Sequence, residues 1–428
     1  MKQKMNPLAL AVFLLSLLAA SCSKDKDPSP KADDLPNDVI LVWNEVAFEA
    51  TGGKANTHSL LTSRVYAMVH AAMHDAVNAT RARYQIFAFH EKDRDAHPVA
   101  AAASAAHRVL KATFTSRASF LDSALNSSLA GIPPSASKTA GIALGEKAAD
   151  ALLALNYNHN GAEDPVGQPA PAVKPGDYKV VPPFTFIFAP FWQDSKLWSL
   201  QTKSQFRCPP PPALTSDAYA TAFNEVKQVG SINSATRTAE QSSYAKYWYE
   251  TSEIGWNRIA RNVAKDKKTG LFATARLFAL LNFAIADAYT AGWDSKLHYN
   301  LWRPFTAIRE ADTDGNAVTT PDLLWEPAEP TPPIQDYPST HSALGNAAAT
   351  VLAYVYGDYT SFTMRSPTAS PDGATRGFKS FSQAANENAD SRVMAGIHFR
   401  FACVAGQELG NKIGQWTTAH YLKPINKK

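Results

Sequence analysis

Apolar residues recur at helical spacing along most of this chain, and no stretch of useful length alternates apolar and polar positions as a half-buried strand would. The pattern runs from Val39 to Ala79, and within it the segment His58 to Asn78 sets Val65, Met68, Val69, Ala72, Met73, Ala76 and Val77 on one broad stripe. Two further helical stretches rich in Ala and Leu follow, Pro98 to Leu129 and Ser135 to Leu155. Between Asn156 and Pro212 the pattern breaks: Pro and Gly are frequent, and Phe184, Phe186, Phe188, Phe191 and Trp192 cluster ahead of the prolines Pro209 to Pro212. Disordered linkers are poor in aromatics, so this stretch predicts a long ordered loop. Helical periodicity resumes over Asp217 to Val229, Ala239 to Tyr249 and Leu271 to Trp293. From Asp336 to Gly345 the sequence DYPSTHSALG leads out of a proline-studded loop into one more Ala-rich helix, with Pro and hydroxyl residues as its start signals. The predicted class is all-α, a helical bundle whose small residues let neighbouring helices approach closely.

The N-terminus departs from this pattern. Lys2 and Lys4 precede an apolar run from Pro7 to Ala20, and Ala19, Ala20 and Ser21 lead to Cys22. This resembles a bacterial lipoprotein signal ending at a lipid-modified cysteine. The run is short of the ~20 residues that span a bilayer. The polar SKDKDPSPKADD that follows Cys22 reads as a tether. The expected organisation is therefore a signal over 1–21, a tether over 22–36 and one helical domain over 37–428, exported and lipid-anchored at the outer membrane, on its periplasmic or cell-surface side. No later segment is expected to span a membrane, because the most apolar one, Leu277 to Ala286, is flanked by Arg276 and Asp287. A composition of 45% hydrophobic residues supports a sizeable core. A net charge of +4 with no block of five like charges argues against nucleic acid and against an anionic membrane surface. Beyond the leader only Cys208 and Cys403 remain, which is no disulfide framework, and their pairing stays open.

Two possible metal sites weaken on inspection. His70 and His74 share a helix face, with Asp75 beside them, but no further His or Cys follows at fingerprint spacing, so packed core histidines are expected. Asp312 to Asn316 begins like a calcium loop, yet its twelfth position is Leu323 where a bidentate Glu belongs. A tight Asp-Gly turn over the mouth of an anion site is expected there.

The last third holds three spaced pieces: Lys296 with Arg303 and Pro304, then Pro338-Ser339-Thr340-His341, then Ser391-Arg392 with His398. Lys296 and Arg303 are seven residues apart, which puts them on one face if a single helix continues to a stop near Arg303. Arg392 and His398 are six apart, so they converge only if Arg392 sits in or before a first helical turn and reaches across. Planar Arg forks, a Lys point charge, a hydroxyl and helix-start N–H groups are the inventory for holding a tetrahedral oxyanion. One His can then bond the central atom while the other moves protons.

In order and spacing the three pieces resemble the signature of the vanadium haloperoxidase and type 2 phosphatidic acid phosphatase superfamily. The likeness extends to VHAAMHDAVNA and ADAYTAGWDSKLHYNLWRPFTAIRE, as in its soluble bacterial haloperoxidase-related branch. The resemblance implies a helical bundle of that type with its catalytic core at about 271–420. It further implies that Lys296, Arg303, Ser339, Arg392 and the amide of Thr340 hold the oxygens of vanadate or phosphate. His398 would be the apical vanadium ligand and His341 the general acid/base, with hydrogen peroxide, a halide and a small organic acceptor as partners. The same residues in a soluble acid phosphatase would pass a phosphoryl group through His398 to water. Two positions depart from the family pattern. Thr340 stands where Gly is usual, and Ala402 stands where an Asp often orients the final His. The second motivates a third reading, a non-catalytic oxyanion-binding lipoprotein.

Overall fold

The computed structural model describes residues 35–55, 58–159, 161 and 163–425. The signal, the tether and Cys22 lie outside the described residues. From Pro36 onward the chain forms one compact unit. Its helices are α1 (Asp38–Ala50), α2 (Ser59–Thr80), α3 (Pro98–Thr113), α4 (Ala118–Ala130), α5 (Ala136–Leu153), α6 (Asp217–Val229), α7 (Ala239–Tyr247), α8 (Ser252–Asp266), α9 (Leu271–Tyr299), α10 (Pro304–Arg309), α11 (Thr340–Tyr356), α12 (Phe381–Met394) and α13 (Arg400–His420). Strands among the described residues are confined to two antiparallel pairs: β1 (Val166–Gly167) with β2 (Ile187–Phe188), and β3 (Phe362–Arg365) with β4 (Thr375–Phe378).

The bundle is built around α9. Every residue from Leu271 to Lys296 except Ala273 is buried, so this helix is enclosed on all sides, as a central core helix is. It is long and apolar enough to cross a membrane, contrary to the expectation from Arg276 and Asp287, but 94% of its apolar window is buried inside the protein. Those two charges are absorbed internally. Asp287 accepts from the amides of Trp198, Ser199 and Leu200, and Arg276 Nε donates to Leu422 O. On one side α9 packs against α2, behind which lie α3 and α5; on the other it meets α11 and α13. Each fully buried Leu or Phe along it contributes roughly 1.5–3 kcal/mol.

The segment 156–212 is the ordered loop expected, and the ring of Trp198 stacks on Tyr157 and on Phe283 of α9. Helix α8 had no counterpart in the predicted elements. Its apolar stripe of Trp256, Ile259, Ala260 and Val263 is interrupted by Arg258, Arg261 and Asn262, which obscure the period. The histidines of α2 are core histidines: His70 Nε2 is 2.8 Å from Asn44 Nδ2 and His74 Nε2 is 3.0 Å from Gln85 O. Asp75 accepts the amides of Phe87, Ala88 and Phe89 and so fastens the loop after α2. No cluster of potential metal ligands occurs among the described residues. At 312–316 a tight turn forms, with Gly315 at φ +73° and Asp314 accepting from Asn316 N and Thr319 Oγ1. Its outward contacts run from Asn316 to Leu214 and Ser216, before α6, and not to the anion-binding side chains. Cys208 and Cys403 are buried free thiols.

Candidate active site

All three sequence pieces meet at one buried place, by a route that differs from the expected one at two points. Helix α9 stops at Tyr299, where Asn300 takes a left-handed conformation (φ 49°). Lys296 and Arg303 therefore do not share a helix face. Lys296 lies in the last turn of α9, and Arg303 is the N-cap of α10, after an extended link in which Leu301 O accepts Asp336 N. Arg392 likewise sits in the last turn of α12 and not in a first turn. A tight turn at Gly396 (φ +77°) brings the chain back, so that His398, just before α13, comes beside it.

Ser339 caps α11, its Oγ accepting from Ser342 Oγ at 3.0 Å, which leaves its own O–H free to donate. The amides of Thr340 and His341 make no hydrogen bond among the described residues, as expected of a helix start. Ser339 is itself pinned by α13: its amide donates to Ala402 O at 2.9 Å.

The cations are buried and mostly anchored by backbone carbonyls. Lys296 Nζ donates to Gln335 O (2.7 Å) and Asp336 O (3.0 Å). Arg303 Nε donates to Ile334 O and its Nη1 to Ile397 O, both at 2.7 Å. Arg392 is the least satisfied, with one long bond from Nη1 to Trp248 O (3.4 Å) and a buried Nε that has no acceptor. Its guanidinium lies 5.5 Å from the ring centre of Tyr249, a half-buried residue on the outer wall. His341 Nε2 is 3.0 Å from Glu250 O, so the 248–250 segment between α7 and α8 closes the site from the side the sequence did not indicate.

Sequence reasoning also left Asp336 without a role. It is fully buried, with Oδ1 at 2.9 Å from His398 Nδ1 and 3.8 Å from Arg303 Nη1. The short separation from His398 is that of a hydrogen bond, although the ring N–H is not aligned on either carboxylate oxygen, both of which lack a well-aligned donor. Alignment in such sites is commonly completed only with ligand bound. The signal that marked Asp336 was its chemistry, an acid opening a stretch otherwise full of neutral and basic anion-binding groups.

Electrostatically the site lacks negative charge. Burial and the neighbouring Arg303 hold Lys296 well below its ordinary range, and burial lowers Arg303 and, to about 10, Arg392. Burial and the surrounding cations keep both histidines neutral, well below the usual imidazole value. Asp336 is pushed up to about 7 by burial, against the pull of Arg303 and Lys296. Three cations facing one carboxylate, with an orphaned guanidinium N–H, fit a bound oxyanion; vanadate or phosphate would supply the missing charge and acceptors.

Residues 276–427 match the family model described as the VCPO second helical-bundle domain, a span that contains Lys296, Arg303, Asp336, Ser339, Thr340, His341, Arg392 and His398 but not the 248–250 wall. The chain is 26% identical to the vanadium chloroperoxidase of Curvularia inaequalis, with 89% of this chain and 82% of that protein covered. The crystal structure of a bacterial vanadium-dependent iodoperoxidase superposes with a TM-score of 0.77 at 27% identity, covering 91% of this chain and 98% of that one. A holo bacterial vanadium-dependent chloroperoxidase shares the fold, with a TM-score of 0.68 at 16% identity over 90% of this chain and 97% of that one.

Proposed function

The chain belongs to the vanadium haloperoxidase superfamily, and we propose that it is a vanadate-dependent haloperoxidase that oxidises a halide with hydrogen peroxide. The observation that carries the reading is the buried, acceptor-less Nε of Arg392 among three cations and a single carboxylate. Lys296, Arg303 and Arg392 would neutralise the oxyanion, while Ser339 Oγ and the amide of Thr340 donate to its oxygens. His398 offers a ring nitrogen to the central atom. Bound there, vanadate supplies a Lewis acid that activates hydrogen peroxide toward attack by halide, giving a hypohalous species for an organic acceptor.

His341 is the proton-handling group in this reading. With Nε2–H on Glu250 O, its Nδ1 carries the free lone pair, and its depressed pKa keeps that lone pair available at neutral pH. Thr340 adds a Cβ beside the cradle without removing the amide that donates.

The test is an assay pair on the purified protein. Vanadate-dependent oxidation of iodide, bromide or chloride by hydrogen peroxide, read as halogenation of a phenolic dye, is the expected result. His398→Ala should abolish it, and His341→Ala should lower turnover by about 10²–10⁴-fold with vanadate still bound. Vanadate-inhibited hydrolysis of a chromogenic phosphate ester, with no halide oxidation, would replace this reading with the phosphatase one. Vanadate binding without either chemistry would leave a binding protein.

The leader supports export and a lipid anchor at Cys22. Cys22→Ser should move the protein out of the membrane fraction of expressing cells, and retention there would remove the anchor.

A further inference from the structure

His398 needs something to fix its ring, and Ala402 offers no side chain for the purpose. Two contacts on opposite ring nitrogens specify the same tautomer. Arg303 Nη1 lies 3.0 Å from His398 Nε2 and 3.4 Å from Nδ1. A guanidinium has no lone pair to offer, so the nearer nitrogen, Nε2, is the acceptor. The other nitrogen, Nδ1, lies 2.9 Å from Asp336 Oδ1, and a carboxylate oxygen can only receive its proton.

We propose that Asp336 is the positioning residue for His398, holding the ring in its Nδ1–H form so that the Nε2 lone pair stays turned into the oxyanion cradle. Asp336 is well placed for this. Its amide donates to Leu301 O at 3.0 Å, its carbonyl accepts Lys296 Nζ, and its side chain is wholly buried. Among the described residues it is the one carboxylate in contact with a cation or histidine of the site. It therefore stands between α10 and α11 in the role for which α13 lacks a side chain. At 402 the backbone has a different task, since its carbonyl receives Ser339 N. Asp336 and Ser339 belong to one short run of chain, so the segment that presents the cradle's hydroxyl also sets the orientation of the histidine opposite.

This inference rests on His398 being the residue that would hold the oxyanion's central atom, and the experiment separates the two claims. The first measurement needs no variant: nitrogen-15 NMR of histidine-labelled protein at pH 8, with the His398 signals assigned by their loss in His398→Gln. The expected pattern is a protonated Nδ1 and a bare Nε2. A His398 protonated at Nε2 would overturn the proposal. The second is orthovanadate affinity by titration calorimetry, with thermal melting as the control for folding. Asp336→Asn should weaken binding by about 10–100-fold and mix the tautomers, while Asp336→Glu restores part of both. A counter-charge role alone would change affinity without moving the tautomer, and that outcome would also overturn the proposal. If Asp336→Asn binds within twofold of the parent while His398→Ala loses binding, only the role of Asp336 falls. If His398→Ala also binds like the parent, the proposed function loses the residue that would hold the central atom.

Discussion

His70 shows what a buried, unionised imidazole does to stability, free of the complications of the active site. It lies on α2 against Asn44, with Phe278 of α9 at 4.9 Å between ring centres. Burial, with Arg261 nearby, lowers its pKa to about 3. In the unfolded chain the same imidazole takes a proton near pH 6.5. Between those two values the unfolded state binds more protons, so the folded state loses ground as pH falls from 6.5 toward 3. The loss approaches about 1.4 kcal/mol per pH unit. His70→Asn removes that term. Urea midpoints at pH 7 and pH 5 should show the variant gaining on the parent by about 2 kcal/mol as the solution is acidified; a constant difference between the two pH values would contradict the assignment. The same sign holds for His341 and His398, which at neutral pH is what leaves each with a lone pair to use.

At the scale of elements, the site depends on how closely α13 approaches the start of α11. Ala402 and Gly406, one turn apart on α13, both meet Ser339: the first accepts its amide, and the second leaves room for its carbonyl. A Cβ built on Gly406 would stand 2.3 Å from Ser339 O, which is backbone and has nowhere to yield. Gly406→Ala should therefore push α11 away and cost about 1–3 kcal/mol, and the shift of Ser339 should weaken orthovanadate binding as well. Gly131→Ala, where nothing lies within 4 Å, is the control and should stay within about 0.5 kcal/mol of the parent. Equal stabilities for the two variants would show that α11 has slack the geometry does not reveal. This packing also explains what was legible in the sequence. Long periodic helices such as α2, α6 and α9 announce themselves, and the three motif pieces carry their own chemistry. The ends of α9 and α12 do not, because a left-handed Asn300 and a turn at Gly396 are decided by tertiary contacts as much as by local preference. The 248–250 wall was unreadable, and the acid at Asp336 visible but without a role, for a related reason: a backbone carbonyl for His341 and a carboxylate for His398 acquire a role only when distant segments are brought together.

For the whole molecule the question is why a site made from α9 to α13 carries more than two hundred residues in front of it. Helix α2 packs along α9 with α3 and α5 behind it, and the polar residues Asn44, Asn257 and Asn282 tie α1, α8 and α9 together by side-chain hydrogen bonds. Lys296 and Arg303 need a rigid α9 end to stay buried, and the N-terminal helices cover the far side of that helix. If this is one cooperative body, a ligand bound only by the C-terminal half must stabilise both halves equally. A ligand that binds only the folded state, present at a hundred times its dissociation constant, adds about 2.7 kcal/mol. Hydrogen exchange under conditions that report global unfolding should then show peptides from 59–80 and from 340–356 gaining the same protection, about a hundredfold slowing, on addition of orthovanadate. His398→Ala should erase the gain in both regions. Protection confined to 340–356, with 59–80 unchanged, would mean that the front of the bundle unfolds on its own and serves only as a cover, and the tight enclosure of Lys296 would then need another source.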